Sequence, residues 1–339
     1  MHLSAKEKSI LDSIIIWSDN NPLLPEFPPN DPKFPATPTY QIQVPWFTNV
    51  RLKDESFNPT GTHKDRMAWE IVVTYRDFLL AKQNWQIDAL PIMSLISAWS
   101  AAYAIQTQLK KYGLPNLHVL IDHKLDSHII DQLQSIWCEV FITDLDKKPL
   151  TSKDILLLTH NPFWFDITSS TALDPSTRFY DRLSYEIINS SPAYCFIPFG
   201  TGNLFENILN VNKKEITATY HDPRFSWNIF TLRNCHFFWA TTNNPSSKAI
   251  KLYSPHLPFI HYDEQWIKFY KTAWFCGDQS DVQTINENYL DQALEIAHEQ
   301  DINCEPSWIS GLALLLQKKN QIDPDHKILI VNTGKSVCS

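Results

Sequence analysis

Two stretches of this chain place side chains at spacings that could do chemistry. The first, Val50–Ala68, reads VRLKDESFNPTGTHKDRMA. A strand pattern runs into acidic and small residues, Asn58-Pro59-Thr60-Gly61 supplies a turn, and Lys64 stands where a helix opens. A lysine at a strand-to-helix junction faces the crevice outside the strand ends, where open α/β sheets bind ligands. Partial desolvation in such a place lowers an ammonium's pKa and makes the amine a nucleophile toward an aldehyde. Position alone leaves a solvated helix-start lysine as the competing reading. The second stretch, Pro198–Leu209, reads PFGTGNLFENIL: a strand end, a glycine loop and a helix start. Successive backbone N–H groups in such a loop form an anion nest, and the helix dipole adds to it. A lone GxG also reads as an ordinary tight turn.

The elements that must position these residues alternate. Strand patterns fall at Val50–Leu52, Leu90–Ser94, His118–Ile121, Glu139–Ile142, Tyr194–Pro198 and Lys327–Asn332. Helical patterns fall at His63–Leu80, Trp99–Tyr112 (stopped by Gly113), Asp126–Ile136, Thr177–Asn189, from Asn203, Tyr289–Gln300 and Ser307–Lys318. This rhythm predicts an α/β fold with two open, parallel-rich sheets covered by helices. Residues 211–265 are less regular. Residues 20–45 are proline-rich, which excludes helix and central strand and predicts an extended surface segment. The N-terminal run Ile10–Trp17, broken by Asp12 and Ser13, reads as a short amphipathic helix and not as a signal peptide.

Composition narrows the function classes. The 339 residues carry a formal net charge of -8, with no basic stripe, which argues against a nucleic-acid partner. Apolar runs such as Ile92–Ala104 are too short to span a bilayer. The six cysteines are scattered without a CxxC pair, a pattern that suits a reducing, cytoplasmic setting and neither a disulfide framework nor zinc. The twelve histidines form no HExxH, and His256 and His261 are five apart, off a common helical face, so no metal site is expected.

The string around Lys64 resembles the KDEsxNPTGSFKDR signature of pyridoxal-phosphate (PLP) enzymes of fold type II, which include threonine synthase, cysteine synthase, the serine/threonine dehydratases and the tryptophan synthase β subunit. Thr37-Pro38 resembles the TPL that opens that group's first core strand. The resemblance implies that Lys64 forms the Schiff base with PLP and that Asn58 and Thr62 shape the pocket. It assigns Gly200, Thr201, Gly202, Asn203 and Leu204 to the cofactor phosphate. Ser176–Asp181 and Tyr185-Glu186-Ile187 resemble the helix before that strand, a structural match only. Glu305-Pro306-Ser307 with Gly311-Leu312-Ala313 resembles EPSgaaglAal, and the ending ILIVNTGKS resembles vvxxTGhG. By position Thr333 is then the hydroxyl facing the pyridine nitrogen. A hydroxyl there leaves the nitrogen unprotonated and favours elimination and replacement at the β or γ carbon over transamination. The matches span roughly residues 37–335 in the expected order.

One motif departs from the pattern. Where the family has SSGNTGxxxAxxAxxxGLP, this chain has SAWSAAYAIQTQLKKYGLP. Ser97 and Ala98 fit, Trp99 replaces the glycine, and Ser100 replaces the asparagine that bonds the 3′-oxygen of PLP. The resemblance places Ser97, Ala98, Trp99 and Ser100 at the substrate, and Ser100, with its shorter reach, at the cofactor. The family's GAEV reads Trp137-Cys138-Glu139-Val140, and the phenylalanine before its lysine is His63. His63 is a candidate for proton transfer, or a merely packed ring.

The implied architecture has a larger PLP-binding domain from 1–90 and 180–339, a smaller substrate-side domain from 91–179, and an active site in the cleft between them. The implied activity is that of a PLP-dependent lyase or synthase acting on a small amino acid, threonine synthase-like or cysteine synthase-like, with homodimers common in the group. The alternative is a non-catalytic or remodelled descendant that binds or regulates. Trp99 and Ser100 discriminate between the two: they reflect either drift with the indole turned away or a substrate site remodelled or lost. A module that binds a metabolite without covalent use of Lys64 is a third option.

Overall fold

The computed structural model describes residues 36–97, 99–145, 147, 150–162, 165–168, 179–221, 228–253 and 264–335. In chain order the elements are β1 (Thr39–Val44), β2 (Phe47–Asp54), α1 (Lys64–Gln83), β3 (Met93–Ile96), α2 (Ser100–Lys111), β4 (His118–Asp122), α3 (Ser127–Ser135), β5 (Glu139–Thr143), α4 (Ser152–Leu158) and β6 (Phe165–Asp166). They continue with α5 (Asp181–Asn189), β7 (Tyr194–Pro198), α6 (Asn203–His221), α7 (Ile229–Asn234), β8 (His236–Thr241), α8 (Glu264–Thr272), β9 (Asp281–Thr284), α9 (Glu287–Glu299), α10 (Ser310–Gln317) and β10 (Ile328–Asn332). The chain divides into two compact units, one holding 64–179 and the other 36–63 with 180–339.

The larger unit is built on a sheet of order β1-β2-β10-β7-β8-β9. All its pairings are parallel except the β1–β2 hairpin. The inner strands β7 (YCFIP) and β10 (ILIVN) are buried at every position, as expected of parallel strands covered on both faces. Helix α10 is apolar nearly all round, and every residue from Ser310 to Leu316 is buried. It packs with Leu290, Ala293 and Ala297, the inward stripe of α9, on Phe196, Phe238, Ile328 and Ile330 of the sheet.

The smaller unit has a parallel sheet of order β5-β4-β3-β6. Strands β3 and β4 are buried along nearly their whole length, whereas edge strand β5 exposes Glu139 and Ile142. Helices α1 and α2 belong to this unit.

The α/β class with two parallel-rich sheets is therefore as the sequence indicates. Several boundaries differ. Residues 64–90, expected with the larger domain, group with the smaller unit, because α1 packs on α2. Thr39–Val44, read as extended surface chain, is strand β1 paired with β2. The irregular region contains the end of α6 and the inner strand β8, whose HFFWAT has no alternation to betray it because both faces are covered. The expected N-terminal helix, residues 20–35 of the proline-rich stretch and Ser176–Arg178 lie outside the described residues. Among the described residues no helix is long and apolar enough to cross a membrane.

Candidate active site

The sequence LKDES carries three consecutive charged residues into the end of β2, and all three are buried: Lys53 and Asp54 are 1 % exposed and Glu55 is 0 %. Buried charges persist only when paired and hydrogen-bonded. Lys53 Nζ donates to the Thr37 carbonyl at 2.6 Å and to the Glu186 carboxylate. The Thr37 hydroxyl donates to Glu55. Asp54 accepts from the Tyr40 hydroxyl at 2.8 Å, from the Ser56 amide at 3.0 Å and from Asn332 Nδ2 at 2.9 Å. Burial, reinforced by Asp54, pushes the Tyr40 phenol well above its ordinary range, so it stays a donor. Burial, with Asp54 and Glu305 adding to it, also pushes the Cys304 thiol up to about 12, which removes it as a nucleophile near neutrality.

This network fixes the turn that follows. Asn58 Nδ2 donates to the Glu55 carbonyl at 3.0 Å and to Glu55 Oε2 at 2.7 Å. Both partners are acceptors, so the orientation of the amide is determined. Asn58 Oδ1 is buried and has no donor among the described residues. The Asn58 carbonyl takes the Gly61 N–H at 2.8 Å and closes the turn.

The turn is then zipped to the chain leaving β10. Thr62 bridges Gly334 in antiparallel fashion, flanked by Lys335 N–H to Gly61 carbonyl at 2.9 Å and His63 N–H to Thr333 carbonyl at 2.9 Å. His63 Nδ1 lies 3.1 Å from that same Thr333 carbonyl, and its ring sits against Tyr180 at 5.4 Å between centroids. Glycine is required at 334, because a Cβ there would come within 2.1 Å of the Trp308 ring. Lys64, half-buried, is the next residue after His63 and the first of α1.

The adjacent strand contributes the glycine loop. Gly200-Thr201-Gly202 leads from β7 into α6, and Gly202 has φ +85°, which a side chain would strain. The first-turn N–H groups of a helix have no intrahelical acceptor, so the start of this 19-residue helix presents donors and a positive dipole end. Asn203 and Leu204 are buried beneath it.

Strands β2, β10 and β7 are neighbours and parallel, so the Asn58 turn, Thr333 and the Gly200–Leu204 loop all leave the same edge of the larger sheet. Thr333 is 3 % exposed, and its hydroxyl has no hydrogen bond to a described residue. The donor set suits PLP: backbone N–H groups and a helix start for a phosphate, an amine for an aldehyde and a neutral hydroxyl for a ring nitrogen.

The Ser97–Ser100 segment follows β3 in the smaller unit. Ser97 Oγ accepts the Ala102 N–H at 3.4 Å, and Ser100 is the first residue of α2. The Trp99 ring stacks on Tyr103 at 5.0 Å and 22°, and its indole N–H is buried with no acceptor among the described residues. Ala98 lies outside the described residues. The Lys53–Glu186 pair and the His63 clamp escaped the sequence reading of roles. The charged triplet in an otherwise apolar strand was the available signal for the first.

No family model and no curated protein matches this sequence. Solved structures do resemble it, and the fold is that of PLP enzymes of fold type II. The structure of O-ureido-L-serine synthase matches with TM-score 0.59 and 17% identity over 89% of this chain and 90% of that one. A pyridoxal 5'-phosphate-dependent aspartate racemase matches with TM-score 0.61 and 12% identity over 98% and 96%. Diaminopropionate ammonia lyase from Escherichia coli, in complex with an aminoacrylate-PLP azomethine reaction intermediate, matches with TM-score 0.61 and 12% identity over 97% and 89%.

Proposed function

We propose that this chain is a PLP-dependent lyase or synthase that eliminates or replaces a substituent at the β or γ carbon of a small amino acid, in the manner of threonine synthase or cysteine synthase. The observation that carries this reading is the convergence of Asn58, Thr333 and Gly200–Leu204 at one sheet edge, with Lys64 next in the chain after His63. Enzymes with this fold are named for work on a serine derivative, aspartate and diaminopropionate, all small polar amino acids.

Lys64 would hold the cofactor through its ε-amino group, and the N–H groups of Gly200–Leu204 would take the phosphate. Bound PLP supplies an electron sink for charge developing at the substrate α carbon. Lys64, once its amine is released, is the base that takes the α proton and can return it. Thr333 offers the ring nitrogen a neutral hydroxyl, which tempers the sink and favours loss of a side-chain substituent over amino transfer. Asn58 would bound the pocket, its amide nitrogen already committed to Glu55. Ser97, Ala98, Trp99 and Ser100 would frame the substrate, with Ser100 also reaching toward the cofactor. A cytoplasmic setting and a homodimer belong to the same proposal. It is supported by free thiols at the five described cysteines and by exposed aromatics such as Trp46 and Trp137.

The Trp99–Tyr103 stack favours a second reading, a remodelled or non-catalytic descendant, since an indole stands where close backbone approach to a ligand needs glycine. The deciding experiment is the visible spectrum of purified protein with added PLP, followed by borohydride reduction and peptide mapping. A pyridoxyl adduct on Lys64 and a spectral response to an amino acid support the first reading. An adduct with no response to any amino acid favours the second. A protein that takes up no PLP refutes the first reading.

A further inference from the structure

We propose that His63 is a positioning residue that fastens the turn delivering Lys64 to the strand end carrying Thr333. The Thr333 carbonyl accepts from the His63 backbone N–H at 2.9 Å, and His63 Nδ1 lies 3.1 Å from the same oxygen. A carbonyl oxygen has two lone pairs and can only accept, so Nδ1 carries the proton. In its neutral form the ring is therefore the Nδ1–H tautomer, and Nε2 is its basic nitrogen. Tyr180 holds the ring plane, with 5.4 Å between centroids and 35° between planes. The pairing of Gly61 with Lys335 and of Thr62 with Gly334 continues the clamp on the other side. A phenylalanine at this position would keep the ring against Tyr180 and lose the side-chain bond.

The consequence is a linkage between two groups of the candidate site. Any displacement of the turn pulls on the backbone of Thr333, so the residues leading into Lys64 and the strand end at Thr333 move together along one antiparallel pairing. Only the effect on PLP rests on the cofactor reading above. The clamp itself does not.

Two measurements on the cofactor-free protein test the clamp. Long-range 1H–15N correlation of the His63 ring is expected to show the Nδ1-protonated tautomer, and the Nε2-protonated form would overturn the role. Hydrogen exchange of peptides covering 61–64 and 333–335 is expected to speed up about five-fold in His63→Phe, the scale of one net hydrogen bond. In His63→Asn, whose side-chain amide N–H reaches the same carbonyl, it should stay near wild type. Equal exchange in all three proteins overturns the proposal. With PLP added, His63→Phe should weaken apparent affinity about five-fold and His63→Asn should not. If the wild type takes up no PLP, the proposed function fails, while the tautomer and exchange results still decide the role of His63.

Discussion

Lys53 and Glu186, 133 residues apart in sequence, form an ion pair that joins β2 to α5 inside the larger unit. Removing one member of a buried pair leaves the other charge uncompensated, which typically costs about 3–5 kcal/mol. Lys53→Met should therefore lower unfolding free energy by about 3 kcal/mol in urea titration. Glu186→Gln keeps an amide oxygen that can accept from Lys53, which also retains Glu55 at 3.9 Å, so it should cost less. Equal losses from the two substitutions would mean that the pair is not what holds this end of β2.

Lys64 is half-buried at a helix start, so its loss should leave the fold intact while abolishing covalent retention of PLP. Lys64→Ala is expected to change stability by less than about 1 kcal/mol. Borohydride reduction should then mark no residue. Labelling that persists in this variant would move the reactive amine elsewhere.

At Gly202 the positive φ penalises any side chain. Gly202→Ala should cost about 1–2 kcal/mol of stability and weaken binding of the cofactor phosphate. Both are readable from the thermal midpoint and from PLP titration. Gly113, also at positive φ, is the control: Gly113→Ala should lose comparable stability and no PLP affinity.

The Trp99 ring contributes a stack with Tyr103 and withholds space next to the start of α2. The double substitution Trp99→Gly with Ser100→Asn should cost about 1 kcal/mol through the lost aromatic pair. It should also raise the response of bound PLP to small amino acids, measured as amino-acid-induced change in visible absorbance. A weaker response would show that the indole is a working part of the substrate site, and an unchanged one that it lies outside it.

His236, partly buried and stacked on Tyr194, has its pKa held below 6.5 by desolvation, against the opposing pull of Asp278. A group with a depressed folded pKa contributes stability above its unfolded pKa and loses it as pH falls through the folded one. Stability should therefore decline as pH drops below about 6.5, and His236→Gln should flatten that decline. Thermal midpoints across this range compare the two proteins. Parallel curves would assign the acid sensitivity to other groups.

How much of this was legible beforehand depends on whether the determinant is local. The turn before Lys64 and the glycine loop before α6 are written in contiguous residues with their own backbone requirements, and both stand where the sequence indicates. The Asp54–Asn332 and His63–Thr333 bonds join residues 278 and 270 positions apart, and no local pattern announces them. Strand β8 leaves no sequence signature because burial on both faces erases alternation, and the proline-rich run before β1 masks the start of a hairpin. Trp99 stands out in the sequence by its type alone, and its partner Tyr103 becomes visible only in the fold.

The ring contact between His63 and Tyr180 has a topological meaning. The chain of the larger unit breaks off at His63 and resumes at Tyr180, and those two rings lie 5.4 Å apart. Residues 64–179 are thus an insertion whose two entry points on the host share one spot. Domain insertion is tolerated where chain ends lie close together. A few-residue linker from His63 to Tyr180 could replace the whole excursion without stretching the host sheet, leaving a continuous, self-contained chain.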